Sequence, residues 1–307
     1  MIGIDIGGAN LKVVDGDKVS IHYCPLWKGA LISDTLKIYS KEKEAAVVMS
    51  GELADCFASK MDGITFIVEA VRKVFPDAIF YGTDGMFHKN PCIELAAANW
   101  LVMADILKFR YPDGLLIDMG STTTDLIPLN AFDEMKDQTD YSRLTKNLLL
   151  YYGLLRTPVS SLLRAVSING KKIRLSTEYF ACAGDAHLIN SLISPKDYTT
   201  PAPDNGGKTR EECLQRIARM VCADLSDIGT HIAEFIAEAY IMEEKIEILD
   251  AVRDLLHKYG CKRVLTVGIG SGFISSLTGG ENLREIFGEI SDAMPAYAVR
   301  EAALRTG

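Results

Sequence analysis

The feature that most constrains this chain is a repeat. Near the N-terminus an apolar run, Ile2–Ile6, leads into Asp5-Ile6-Gly7-Gly8. At the same spacing 113 positions later (118 against 5), a second run, Leu115–Asp118, leads into Asp118-Met119-Gly120-Ser121. Each copy reads as a buried strand, a glycine turn and a second strand, Leu11–Val14 in the first and Thr123–Pro128 in the second. With 307 residues there is room for two ordinary domains of similar design.

The residue types in the repeat point to phosphate. Glycine lets the backbone approach a ligand closely and present N–H groups in a concave nest. In the first hairpin Gly7, Gly8 and Asn10 fill that role, and Lys12 on the second strand reaches a phosphate as a point charge. In the second, Gly120 and Ser121 are followed by Thr122, Thr123 and Thr124, whose hydroxyls add donors. Asp5 and Asp118 cannot bind phosphate directly, but an aspartate at a strand end holds Mg²⁺, and Mg²⁺ bridges phosphate oxygens. Two ordinary turns are the competing reading, and the matched pair weighs against it. A third turn, Gly268-Ile269-Gly270-Ser271-Gly272, follows the strand Arg263–Val267. It is no G-x-G-x-x-G, because Phe273 occupies the last glycine position, and it has no Gly-Lys-Ser/Thr ending of a Walker loop.

Between these turns the periodicity alternates strands (Val19–Tyr23, Ala45–Met49, Ala78–Tyr81) with helices (31–39, 64–75, 93–108), which predicts an α/β protein. Further helices are predicted over 179–193, 210–225, 228–259 and 293–304. A hairpin is expected around Asn169-Gly170, and a long Pro/Gly loop over 194–208, a length that lids often have. The net charge of −8 is spread over both halves without a basic patch, which excludes general nucleic-acid binding and docking on anionic membranes. Seven scattered cysteines without a C-x-x-C pair fit a reducing cytoplasm. The start of the chain has no signal-peptide pattern, and the most apolar stretch, 93–107, carries Glu94, Asn99 and Asp105. The expected partner is a small phosphorylated molecule, with a homodimer left open.

At the three turns the chain resembles the actin, sugar-kinase and heat-shock-chaperone superfamily. The string Asp118-Met119-Gly120-Ser121-Thr122-Thr123-Thr124-Asp125 is similar to its hydantoinase A/oxoprolinase branch. Five segments resemble one archaeal family, the methanofuran-biosynthesis synthases: Met49–Asp55, Thr83-Asp84-Gly85, Ala96–Leu101, Arg156–Val159 and Arg219–Asp224. The resemblance implies two ribonuclease-H-like (actin-like ATPase) domains around a phosphate-binding cleft. The first would be 1–110 plus 293–307, the second 111–292 with a helical insertion. It places the third turn, at Gly268, Gly270, Ser271 and Gly272, beside a nucleoside or substrate, so ATP stands next to Mg²⁺ as an implied ligand. It also implies a reaction: the diphosphate of 5-(aminomethyl)-3-furanmethanol joins γ-glutamyltyramine through an aryl ether, and diphosphate leaves.

That chemistry needs a group to take the phenol proton. Glu52, Asp84 and Asp185 are the carboxylate candidates, and His187 is an imidazole one. Asp84 follows a strand end, where ligands of α/β sheets gather. Arg156 is a candidate for a substrate carboxylate. An ATP-dependent small-molecule kinase, a hydantoinase-type ATP-dependent hydrolase and a nucleotide-sensing regulator are the alternatives; the first hairpin begins at residue 5, which leaves the regulator no room for an N-terminal DNA-binding helix pair.

Overall fold

A computed structural model describes residues 1–29, 31–42 and 44–306. Strands β1 (Ile2–Ile6), β2 (Asn10–Asp15), β3 (Lys18–Tyr23), β4 (Ala45–Met49), β5 (Ile79–Tyr81) and β6 (Phe87–His88) form one sheet in the order β3-β2-β1-β4-β5-β6. Seven more follow: β7 (Gly114–Met119), β8 (Thr124–Pro128), β9 (Leu149–Leu150), the separate hairpin of β10 (Ala165–Ile168) and β11 (Lys171–Arg174), β12 (Arg263–Val267) and β13 (Glu281–Asn282). The second sheet runs β9-β8-β7-β12-β13, which repeats the first five strands of the other sheet.

The duplication holds residue by residue. In the first hairpin Gly3 pairs with Val14, Asp5 with Lys12 and Ile6 with Leu11. The same offset of 113 leads to Leu116 with Ile127, Asp118 with Asp125 and Met119 with Thr124, which are the pairs that β7 and β8 make. On its other side β1 lies parallel to β4, as β7 lies parallel to β12. The protein is therefore an α/β molecule with two ribonuclease-H-like units.

Burial explains the strand sequences. Every residue of β1 and β4 is buried, because helices cover both faces of a parallel sheet. Along β4 the side chains alternate between two cores. Ala45, Val47 and Met49 join the cluster with Ile64, Ile67 and Val71, and Ala46 and Val48 join the larger cluster shared with the second sheet. The Asn99–Leu107 helix lies in that larger cluster, so the two units are joined through continuous apolar packing. The terminal helix Met294–Thr306 packs back on β1 and β4, and at Gly3 any Cβ would overlap the Ala296 carbonyl.

Several predicted helices are shorter than the periodicity implied, each for a local reason. The 93–108 segment is a 3₁₀ turn at Ile93–Leu95 and then the helix Asn99–Leu107, because Ala96 is extended and Ala97 sits at φ +47°. The 179–193 segment is helical only over Ala183–Ile189. Residues 210–225 are helical over Arg210–Arg219 and break at Cys222, which has φ +58°. The 194–208 loop is irregular as predicted, but it is anchored, with Tyr198 1% exposed. Among the described residues no helix is long and apolar enough to cross a membrane.

Candidate functional site

Parallel strands put their carboxyl ends on one edge, and the predicted residues gather there. Asp5 stands near the end of β1, and Ser50-Gly51-Glu52 and Asp84 follow β4 and β5; Asp118, Gly268–Gly272 and Asn282 stand at or after the ends of β7, β12 and β13.

Each hairpin closes by one bond, Gly7 N–H to Asn10 O and Gly120 N–H to Thr123 O, both at 2.9 Å. The turn carbonyls face back into the protein. Gly8 O and Ala9 O accept from Leu26 and Cys24, and Gly120 O and Ser121 O accept from Leu154, Leu155 and Arg156. The N–H groups of Gly8, Ala9, Ser121, Thr122 and Thr123 have no acceptor among the described residues, and all five residues are half-buried. Unclaimed N–H groups at a tight turn are the donors an anion would take, and both hairpins offer them. One predicted donor is lost: Thr124 is fully buried, and its hydroxyl donates to Tyr152 O at 2.7 Å.

The charges between the hairpins are coupled. Lys12 Nζ lies 3.9 Å from Asp5 Oδ2. Burial raises the Asp5 pKa against the pull of Lys12, with Asp125 adding to the rise. Burial also pushes Asp118 up to about 7, opposed by Lys12 and reinforced by Asp125, Asp5 and Asp292. Lys12 thus sits within reach of both strand-end aspartates. Asp5 Oδ1 is buried without a hydrogen-bond partner, and a cation would satisfy it. The described residues hold no ready-made group of three or more metal-ligating side chains. One or two carboxylates plus water and phosphate is the donor set Mg²⁺ takes, so Asp5 and Asp118 fit that ion.

Two turns brace the hairpins. At Gly268, φ +81°, a Cβ would overlap the Asp118 carboxylate, and at Gly270 it would meet Met119. Gly270 N–H donates to Met119 O at 2.9 Å, as Ser50 N–H does to Ile6 O at 3.0 Å, so Ser50-Gly51-Glu52 is the first unit's counterpart of Gly270-Ser271-Gly272. A second hairpin contact crosses between the units. The Arg156 guanidinium lies 4.9 Å from the Trp27 ring, and Trp27 packs at Gly8. Arg156 Nη1 also donates to Thr122 Oγ1 at 3.4 Å.

The three predicted carboxylates separate clearly. Asp185 is fully buried. Its Oδ1 accepts from Arg216 Nε at 2.9 Å and Nη2 at 2.8 Å, and its Oδ2 from the Cys182 N–H at 3.1 Å. This corrects the sequence expectation: Asp185 caps a helix and pairs an arginine in the interior. His187 is likewise interior, 2.8 Å from Glu244 with neither exposed. Glu52 is 1% exposed with both oxygens covered and unpartnered, and burial pushes its pKa up to about 7. Only Asp84 is reachable. It accepts from the Met86 N–H at 3.0 Å and holds His88 Nε2 at 3.0 Å and 3.2 Å. His88 was not among the sequence candidates, although His88 at i+4 from Asp84 across a Gly85 turn is a readable signal. Arg143 was missed too; it binds Asp125, lies 3.2 Å from Asp140 and stacks on Trp100.

Comparison with known proteins gives the family. Residues 43–286 match the hydantoinase/oxoprolinase family. The chain is 35% identical over 318 residues, 97% of its length and 96% of the relative's, to the (4-{4-[2-(gamma-L-glutamylamino)ethyl]phenoxymethyl}furan-2-yl)methanamine synthase of Methanocaldococcus jannaschii. It is 34% identical to the synthase of that name from Methanococcus vannielii, over 60% of this chain and 88% of the relative. A nucleotide-free acetone carboxylase structure, from work on ATP-dependent acetone carboxylation, shares the fold with a TM-score of 0.52 at 11% identity, over 97% of this chain and 69% of its own. The chain belongs to the hydantoinase/oxoprolinase family and, inside it, to the group of these archaeal synthases.

Proposed function

We propose that this protein joins 5-(aminomethyl)-3-furanmethanol diphosphate to γ-glutamyltyramine, forming the aryl ether of the methanofuran precursor and releasing diphosphate. The observation that carries the reading is the pair of matched hairpins with five unclaimed N–H groups and Lys12 beside Asp5, its charge felt by Asp118. Such a site grips a diphosphate from both ends and needs no Walker lysine.

The phenol oxygen forms its bond to the furfuryl carbon as the bond from that carbon to the diphosphate oxygen breaks, and the electron pair leaves with diphosphate. Gly8, Ala9, Ser121, Thr122 and Thr123 donate to the departing oxygens, and Lys12 adds a positive charge. Mg²⁺, held by Asp5 and Asp118 when bound, supplies further charge neutralisation to the leaving group. The phenol proton passes to His88 Nδ1, with Asp84 accepting from Nε2–H and fixing the ring. The domain limits 1–110 plus 293–307 and 111–292 belong to this reading, as does a cytoplasmic setting, which the unpaired cysteines support.

The test is diphosphate release by purified protein given both substrates and Mg²⁺. Release that requires both substrates supports the reaction, and no release removes it. A kinase is the second reading, favoured by the Gly268–Gly272 turn; Mg·ATP turnover with small alcohols and no diphosphate synthase activity would establish it instead.

The assembly we propose is a homodimer through the helix Thr230–Tyr259. One face, with Ile236, Tyr240 and Ile248, is buried in the protein. The outward side carries Phe235, Met242, Ile246 and Leu249, with Phe235, Met242 and Ile246 41%, 55% and 48% exposed, and Ile232 and Ala239, which also pack against the core, complete an alternation of three and four residues. That spacing is a coiled-coil seam. In an antiparallel pair Phe235 meets Ile246 and Ala239 meets Met242, and Glu238 of one copy lies beside Lys245 of the other. A dimer by light scattering that Met242→Glu converts to monomer supports this; a monomeric wild type overturns it.

A further inference from the structure

Beside the third glycine turn lies a cleft of about 240 Å³ that the diphosphate chemistry does not use. Its lining is mixed: Leu154, Ile193 and Phe273 lie beside Ser271 and Asn282, and Asp197 and Arg284 stand at its edge. Leu154 ties the cleft to the phosphate site, because its N–H donates to Gly120 O of the second hairpin at 3.0 Å.

The two rim charges are each half-used. Asp197 Oδ2 accepts from the Ser194 N–H at 2.8 Å and hydroxyl at 2.7 Å, and Oδ1 has no partner among the described residues. Arg284 Nη1 donates to Asp292 at 2.7 Å and 2.8 Å, and Nε and Nη2 have no acceptor among the described residues. Asp197 and Arg284 form no ion pair with each other, yet they feel each other's field. The Asp197 carboxyl is held below its usual range first by the Ser194 hydrogen bonds, and the Arg284 charge contributes. A cation and an anion at the edge of one cleft, each with free hydrogen-bonding capacity, match a ligand end that carries both charges. The cleft is smaller than the roughly 300–1,000 Å³ of ordinary small-molecule pockets, which suits one end of a longer molecule.

We propose that this cleft binds the zwitterionic amino-acid end of the phenol substrate, the α-carboxylate on Arg284 and the α-ammonium on Asp197, with the tyramine arm running past Leu154 toward the second hairpin. The inference rests on the proposed reaction for the identity of the ligand and makes the cleft its specificity site. A nucleoside in the same cleft is the competing occupant.

The test is calorimetric binding, which reads the site whether or not diphosphate is released. Four probes separate the contacts: γ-glutamyltyramine; 4-aminobutyryl-tyramine, which lacks the carboxylate; glutaryl-tyramine, which lacks the ammonium; and Mg·ATP. Wild type should prefer γ-glutamyltyramine over each truncated analogue by about fivefold to tenfold, as charge-assisted bonds at a solvent-exposed rim allow. Arg284→Gln should abolish the preference over 4-aminobutyryl-tyramine and keep that over glutaryl-tyramine, and Asp197→Asn should do the reverse. Equal affinity of wild type for all three tyramine compounds overturns the proposal. So does an equal loss for every probe in both variants, or Mg·ATP displacing γ-glutamyltyramine with the same sensitivity to Arg284→Gln. If γ-glutamyltyramine binds with this pattern and no diphosphate is ever released, the reaction fails and the subsite stands.

Discussion

Lys12 and Asp125 hold the same register position in the two hairpins: Lys12 stands across the ladder from Asp5, and Asp125 stands across from Asp118. The duplicated site is therefore not symmetric in charge. Arg143 binds Asp125 from outside, which leaves Lys12 as the cation that acts on both Asp5 and Asp118. Lys12→Met should lower kcat/KM for the furan diphosphate by about 10- to 100-fold, the range of a hydrogen bond to a charged group. The KM for γ-glutamyltyramine should not move. Steady-state kinetics with each substrate varied in turn checks this, and an equal rise in both KM values would place Lys12 in the frame and not at the phosphate.

His88 and Asp84 are an accessible hydrogen-bonded pair, with side chains 26% and 24% exposed, and the proposed reaction uses His88 as its base. His88→Gln keeps the turn's size and removes the base. It should lower kcat by about 10²- to 10⁴-fold with little change in either KM. Asp84→Asn should cost less, because it loosens the ring without removing it. Activity of His88→Gln within a few-fold of wild type would transfer the proton to another group.

Glu52 is a buried acid whose proton is favoured in the folded state, and the sign of its effect follows. Below about pH 4.5 both folded and unfolded chains hold the proton, and there is no penalty. Between 4.5 and about 7 only the folded chain holds it, so stability falls as pH rises, and above 7 the loss is complete, on the order of 3 kcal/mol. Glu52→Gln removes that slope. The urea midpoint of the variant should match wild type near pH 4, exceed it increasingly up to about pH 7, and keep a constant excess above that. A gap that stays constant across the whole range would show that Glu52 ionises freely in the folded protein.

How much of this could be read in the sequence follows from distance along the chain. The hairpins were legible because every part of the signal, Asp5 to Lys12 and Asp118 to Asp125, is local and occurs twice at one spacing. The strands were legible for the same reason, since β1 and β4 are continuous apolar runs. Asp185 was misread because its partner Arg216 is 31 residues away and no local pattern announces an interior ion pair. Thr124 was misread because the strand alternation that turns its hydroxyl toward Tyr152 depends on where the turn ends. The break at Ala97 was hidden by alanine's own preference for helix, which the packing of residues 92–98 overrides.

Gly268 tests the bracing of the second hairpin. Gly268→Ala adds a Cβ at φ +81° that overlaps the Asp118 carboxylate, whereas Gly279→Ala adds one at φ +70° with nothing within 4 Å. Both variants carry the left-handed backbone penalty of about 1–2 kcal/mol, and Gly268→Ala, whose Cβ also meets the Met119 carbonyl at 2.7 Å, should lose more thermal stability. Only Gly268→Ala displaces Asp118, so only it should raise the Mg²⁺ concentration for half-maximal activity, by several-fold. A Mg²⁺ titration of the two variants side by side decides it.

Asp185 and Arg216 form a buried pair, 0% and 1% exposed, and their value is structural. Removing Asp185 leaves the buried Arg216 with only Asp204, 3.2 Å away at the protein surface, as a carboxylate partner, which costs up to about 3–5 kcal/mol. Asp185→Leu should therefore lower Tm by on the order of 10 °C. Each folded molecule should still turn over at the wild-type rate at low temperature. Asp185→Leu with Arg216→Met removes both charges together and should recover most of the lost Tm, because an apolar pair of similar volume carries no desolvation penalty. Active-site titration against turnover separates the two roles. A kcat per folded molecule that stays low in the thermally restored double variant would return Asp185 to the chemistry, and a kcat at the wild-type level keeps it in the core.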